Sequence, residues 1–342
     1  MSIRFDLAGF ARDDTLGDHA RLMRLAERAD VLGYGGIWFN EFHFRGAVNP
    51  YPHTLLLGAA ILARTERLRF GTSILVLPLH HPLMLAEQVA QLDFQSAGRI
   101  DVGVGRGTDP GTFSALGLPP EAKERFGEAL SIMLKAWSGA PLSATGPTWQ
   151  FEDVTVGPPP VQRPHPPVYV AAVSPATMAL AVERRLPLLL SLEPSETRQI
   201  GPFTAALGGD RAPLRASSLS RYIVIHGDAA VAEEKLQALL ALLNKRRADW
   251  AAARGEAPPP PRTRTEMLEG HAIAGTPEAC AAQIEALTAR TGVHSIRLFP
   301  SANGALPLAE AERTIELFAQ TVLPAFAGRT APAPRVSQGA TS

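Results

Sequence analysis

One cysteine, Cys280, occurs in 342 residues. No disulfide can form within the chain, and nothing points to an oxidising compartment. Excess charge of either sign is missing too, since Lys plus Arg and Asp plus Glu each number 33. Proteins whose main partner is nucleic acid or an anionic membrane surface carry a basic excess, so both partners are disfavoured. Aromatic residues make up only 6% and do not interleave with basic ones, which argues against stacking on bases. No apolar run approaches the ~20 residues needed to span a bilayer. The start, Met1-Ser-Ile-Arg-Phe-Asp-Leu7, lacks the basic region and long apolar region of a secretion signal. The expected location is the cytoplasm.

Several catalytic signatures are absent as well. The first strand-like segment is not followed by Gly-x-Gly-x-x-Gly, and no Gly-x-x-x-x-Gly-Lys-[Ser/Thr] occurs, so the usual dinucleotide and NTPase loops are missing. There is no Gly-x-Ser-x-Gly nucleophile elbow. No His-x-x-x-His, Cys-x-x-Cys or acidic loop supports a metal, and no metal is expected. The adjacent His80 and His81 point to opposite sides of an extended chain, so a polar loop at a rim is the favoured reading. Cys280 lies within helix-like sequence and reads as packing.

What is present is alternation. Apolar, strand-like segments at Ile3–Phe10, Gly36–Asn40, Leu68–Leu75, Ile100–Val104, Val168–Ala172, Leu186–Ser191, Ser218–His226 and His294–Phe299 alternate with helix-like ones. The helices are expected at Asp18–Leu32, His53–Arg64, Pro82–Ser96, Glu121–Ser138, Pro175–Arg184, Ser195–Leu207, Ala229–Ala253, Thr276–Thr291 and Leu308–Phe326. Gly33 suits a C-cap and Pro82 a first helical turn. Eight strands alternating with helices predict an α/β fold, a (β/α)8 TIM barrel forming one domain over 1–327. A doubly wound sheet is the main competitor. Residues 139–167, rich in Pro and Gly, read as an inserted hairpin. Residues 254–272 read as a mobile loop, and 328–342 as a disordered tail.

Three places carry chemistry. Gly36–Phe39 is apolar and ends in Asn40, Glu41 and His43 among aromatics. Ligands bind at the carboxyl ends of parallel strands. Glu41 and His43, two apart on extended chain, face the same side. They form either a catalytic or cofactor-contacting pair, or a satisfied pair closing a strand end. Second, Val102-Gly-Val-Gly-Arg-Gly107 ends a strand with a permanent cation, Arg106, suited to phosphate. Third, Val168–Ala172 runs directly into a helix start where Ser174 can cap and Pro175 takes the first turn. Such a start binds anions through free N–H groups and the helix dipole. Together, Arg106 and the Ser174 start suggest a phosphate site.

These segments resemble bacterial luciferase and the wider luciferase-like flavin-dependent monooxygenases. The similarity runs through Ile37–Phe44, Asn49-Pro-Tyr51, Gly71–Pro78, His81-Pro82, Ala86–Asp93, Gly98-Arg99, Gly103–Gly107, Val168–Thr177, Gly275–Glu278 and Ala302–Gly304. It covers about 3–326 in consistent order. It implies a homodimeric barrel holding reduced FMN, supplied by a separate NAD(P)H:flavin reductase. O2 would form a C4a-peroxyflavin and oxygenate a small organic substrate, expected to be neutral or apolar. Carried over by position, Arg106, Ser174, Thr177 and the backbone at Val173 match phosphate-binding residues. Glu41 and His43 match polar residues at the flavin. Thr72, Ser73 and Ile74 match the segment beside the flavin ring, with a non-proline cis peptide at Ser73–Ile74. Residues 254–272 match the family's shielding loop. Phe42 stands where light-emitting relatives carry a histidine, Gly105 at a reactive-cysteine position and Leu192 at a tryptophan position, so light emission is not expected. The alternatives are F420-dependent hydride transfer and a non-catalytic flavin-binding subunit.

Overall fold

The structure is a computed structural model describing residues 3–10, 18–44, 51–193 and 195–326. The expected tail at 328–342 lies outside these residues, as do Asn49 and Pro50. The strands are β1 (Arg4–Leu7), β2 (Gly36–Phe39), β3 (Arg69–Thr72), β4 (Leu75–Val76), β5 (Ile100–Gly105), β6 (Leu142–Thr145), β7 (Gln150–Val154), β8 (Val168–Val170), β9 (Leu189–Leu190), β10 (Ser218–Ile225), β11 (Ala272–Gly275) and β12 (Ser295–Phe299).

Parallel pairing closes a ring. β12 pairs with β1, β1 with β2, β2 with β3, β3 with β5 and β5 with β8. A parallel bridge from Val170 to Leu188 leads to β9, which pairs with β10, and β10 returns to β12. Eight parallel strands with helices between them form the expected barrel. β4 adds to the far end of β5, and β11 pairs with β10 outside the ring. β6 and β7 form the expected hairpin.

Strands covered by helices outside and side chains inside are buried on both faces, so they read as continuous apolar runs. Ile37, Phe39, Phe70, Ile100, Val102, Val104, Val168 and Val170 are all buried. Each such side chain contributes about 1.5–3 kcal/mol. Gly71 is needed for close approach, because a Cβ there would lie 2.0 Å from the Trp38 ring. The helices begin and end where their caps dictate. Asp18 accepts from the Arg21 amide at 3.0 Å, and Gly33 ends that helix with φ of 89°.

The expected loop at 254–272 holds regular structure. A helix, Arg264–Gly270, starts on a Thr263–Glu266 capping box and runs into β11. The Thr-x-x-Glu spacing was the overlooked signal. Short helices at Pro110–Ala115 and Ala212–Ala216 lie between the expected elements. The expected helix 121–138 opens as a 3-10 turn, Pro120–Arg125, before Phe126–Ala136. The last expected helix divides into Leu308–Thr321 and Leu323–Phe326. No helix among the described residues is long and apolar enough to cross a membrane.

Near the starts of β1, β3 and β5 the barrel buries charge. Arg4 Nε donates to Asp6 Oδ1 at 2.8 Å and Arg4 Nη2 lies 2.7 Å from Asp101 Oδ2. Arg69 makes a two-pronged contact to Asp101 at 2.7 and 3.0 Å. Trp38 Nε1 donates to Asp6 Oδ2 at 2.7 Å. Burial opposes the Asp101 charge, but Arg4 and Arg69 outweigh it and hold the carboxyl at about 2.

Candidate functional site

The opposite end of the barrel collects the strand ends. Asn40 to His43 follow β2, Ser73 and Ile74 follow β3, and Gly107 and Thr108 follow β5. With Val173 beyond β8, Ser191 beyond β9 and Arg297 from β12, they line a cavity of about 350 Å³. The Ser73–Ile74 peptide is cis. Gly105 leaves room for this segment, since a Cβ there would lie 2.3 Å from Ile74 Cδ1. A larger cavity, about 700 Å³, lies outside the ring between β11 and the helix Pro277–Thr291. The smaller cavity is the better candidate because it sits where parallel barrels place their ligands. Its size falls within the range of small-molecule sites.

Glu41 organises one wall. It is buried, and its Oε1 accepts from His43 Nε2 at 2.8 Å and from His80 Nε2 at 2.7 Å. The Val76 amide donates to its Oε2 at 2.6 Å. Burial alone would raise the carboxyl, but the His43, His80 and Val76 hydrogen bonds prevail and lower it to about 2. The contact expected from the spacing of Glu41 and His43 is present. The third member, His80, was read as part of a polar rim. His80 and His81 do point apart, His80 to Glu41 and His81 toward Trp149 at 6.4 Å between ring centres. The His43, His80 and Glu41 donor atoms lie within 4.8 Å of one another, a set that could hold a metal. The carboxylate already accepts from both imidazoles, so the wall is satisfied by hydrogen bonds alone.

Beside the cavity is a cationic corner. Arg106 Nη1 donates to Ser174 Oγ at 3.3 Å, and Arg106 Nη2 pairs with the exposed Glu124. Ser174 caps the helix Pro175–Glu183, accepting from the Thr177 amide at 3.3 Å. Val173, 64% exposed, faces the cavity next to this cap. Arg106, Val173 and Ser174 are therefore brought together. Thr177 stands back from them. It is buried, and its hydroxyl donates to the Ser174 carbonyl at 2.9 Å, so it supports the cap from behind. Thr72 stands back too, its buried hydroxyl donating to the Gly103 carbonyl at 2.9 Å. It ties the end of β3 to β5 rather than lining the cavity.

Arg297 was not expected. It lines the cavity while only 1% exposed. Its Nη1 donates to Ser73 Oγ at 2.9 Å, Nη2 to the Leu190 carbonyl at 2.7 Å and Nε to Ser218 Oγ at 3.1 Å. The guanidinium lies 5.4 Å from the centre of the Trp38 ring. Burial lowers it to about 10, against the pull of nearby Asp6 and Tyr169. The available signal was an arginine between Ile296 and Leu298 in an apolar strand.

The family model for luciferase-like monooxygenase matches residues 4–295. The chain belongs to that family. It is 28% identical to 4-hydroxyprotoasukamycin monooxygenase of Streptomyces nodosus subsp. asukaensis over 90% of this chain and 87% of that one. It is 34% identical to the oxygenase component of the flavin-dependent trigonelline monooxygenase of Acinetobacter baylyi, over 47% of this chain and 45% of the relative. That match thus spans under half the relative's length. Among solved structures, monooxygenase RslO1 of Streptomyces bottropensis superposes with a TM-score of 0.79 at 27% identity, covering 95% of this chain and all of that one. The luciferase-like monooxygenase resemblance and the barrel both stand on these findings.

Proposed function

We propose that this luciferase-like chain is the oxygenase of a two-component monooxygenase that uses FMN. The observation that carries the reading is the cationic corner, where Arg106 and the Ser174-capped helix start adjoin a cavity at the barrel mouth. A flavin phosphate is a dianion near neutral pH, and this combination of guanidinium, hydroxyl and helix N–H groups suits it. Glu124 holds the guanidinium from the solvent side and is exposed enough to give way to a phosphate. Ser73, Ile74 and Val173 would form walls for the ring system.

When bound, reduced FMN supplies the dioxygen chemistry that passes one oxygen atom to an organic substrate. The protein holds the phosphate, walls the ring from water and positions substrate. His43 is placed to hold or move a proton at the cavity wall, with Glu41 orienting its ring. A separate flavin reductase, a homodimeric assembly and a cytoplasmic location belong to the same proposal. The reductase is supported by the trigonelline relative, named as an oxygenase component. The apolar cavity wall of Ile74, Val76, Leu79 and Phe113 favours a largely apolar substrate body.

Arg106→Ala tests the reading. FMN affinity should fall while turnover at saturating FMN changes far less. Unchanged FMN affinity would remove the phosphate assignment. Reconstitution with F420 in parallel separates the hydride-transfer alternative, and oxygen uptake separates a subunit that only binds flavin.

A further inference from the structure

We infer that Arg297 is an anion-recognising residue of the cavity, providing the positive charge that a delocalised oxygen anion of the bound ligand neutralises. For one of its two ligand sources this inference rests on the FMN reading. Its three hydrogen-bond acceptors, Ser73 Oγ, the Leu190 carbonyl and Ser218 Oγ, are all neutral. They use three of the five N–H groups a guanidinium carries. Among the described residues no carboxylate is in ion-pair contact with it. Asp6, its register partner on β1, lies near but is already paired with Arg4, and Asp101 is paired with Arg4 and Arg69, so three guanidinium groups share two carboxylates. Arg297 is thus the cation left over.

Burying an unbalanced charge is costly, and an arginine cannot readily escape the cost by losing its proton. Its neighbours Ile296 and Leu298 turn to the other face of the strand and pack in the core, so Arg297 alone of the three faces the barrel interior. A charge kept at such a cost beside a cavity fits a counter-charge that arrives with the ligand. The chemistry required is a planar, delocalised oxygen anion, which a guanidinium meets with paired N–H groups. Two sources supply it. One is the reduced flavin ring, which is anionic once its N1 proton is lost. The other is a carboxylate or enolate on the substrate.

Anaerobic titrations of wild type, Arg297→Met and Arg297→Lys with oxidised FMN, reduced FMN and, by calorimetry on the flavin-free protein, benzoate test this. If the flavin is the source, wild type prefers reduced over oxidised FMN, and Arg297→Met loses about tenfold or more of that preference. Arg297→Lys, which keeps the charge, retains most of it. If the substrate is the source, the FMN preference stays and benzoate binding falls by a similar factor in Arg297→Met. Thermal unfolding confirms that each variant is folded. The inference is overturned if Arg297→Met changes neither measurement beyond about twofold. Should wild type bind no FMN in either state, the flavin reading fails by itself, and the benzoate titration still decides the role of Arg297.

Discussion

Near the strand starts, Arg4 and Arg69 face Asp6 and Asp101 at 2.7–3.0 Å, and each charge is matched inside the barrel. At the cavity, Arg297 hydrogen-bonds only neutral oxygens, and Arg106 leans on a carboxylate that is largely in solvent. Both places present arginine guanidinium groups from barrel strands or the residues just beyond them. The difference is whether the partner is built into the fold. A closed set of charges holds the barrel together and offers nothing to a ligand. Open charges cost stability and wait for a partner. The mouth is therefore read as the working end from its electrostatics as well as from its shape.

The contrast can be broken by removing one charge at each end. Asp101→Ala leaves buried Arg69 and half-buried Arg4 without their shared carboxylate. It should cost about 3–5 kcal/mol in denaturant unfolding. Arg297→Met removes the unbalanced cation itself and should cost far less. Equal losses would mean that the two ends do not differ.

Acid sharpens the same picture at Glu41. Its folded value, about 2, lies below its ordinary value of 4.5. Its ionised form is therefore favoured by folding. The stabilisation is fully present above pH 4.5 and is lost as pH falls toward 2. The shift corresponds to about 3 kcal/mol at most. The stability gap between wild type and Glu41→Gln should be widest near neutrality and narrow below pH 4.5. A constant gap from pH 7 to pH 3 would argue against the His43 and His80 contacts.

At the cationic corner the effects should appear in binding rather than in stability. Arg106→Ala should weaken FMN about 10- to 100-fold, the worth of a charged hydrogen bond. Its unfolding free energy should stay within about 0.5 kcal/mol of wild type. The smallest effect belongs to Glu124. Glu124→Gln frees the Arg106 guanidinium and should tighten FMN by a few-fold, since exposed ion pairs are worth about 1 kcal/mol or less. Weaker FMN binding in that variant would place Glu124 on the ligand's side.

Much of this was legible along the chain, for reasons of range. The eight barrel strands are apolar runs, and helix starts such as Ser174-Pro175 carry their own caps, so local chemistry marks them. Glu41 and His43 were readable because two residues of extended chain put them on one side. β11 escaped because Ala272–Gly275 is short and sits behind a Pro-rich stretch. His80 and Arg297 escaped for a deeper reason. His80 meets Glu41 across 39 positions, and Arg297 meets Ser73 across 224. Pairing of β2 with β3 creates the first contact and the curl of the barrel the second, and no local spacing encodes either.

The most direct measurement is an anaerobic titration of the protein with reduced FMN, followed by rapid mixing with oxygen while flavin absorbance is recorded. The account predicts one reduced FMN per chain, bound more weakly by Arg106→Ala, and reoxidation slower than that of free reduced FMN. Absent binding, or reoxidation at the free-flavin rate in wild type, would contradict it.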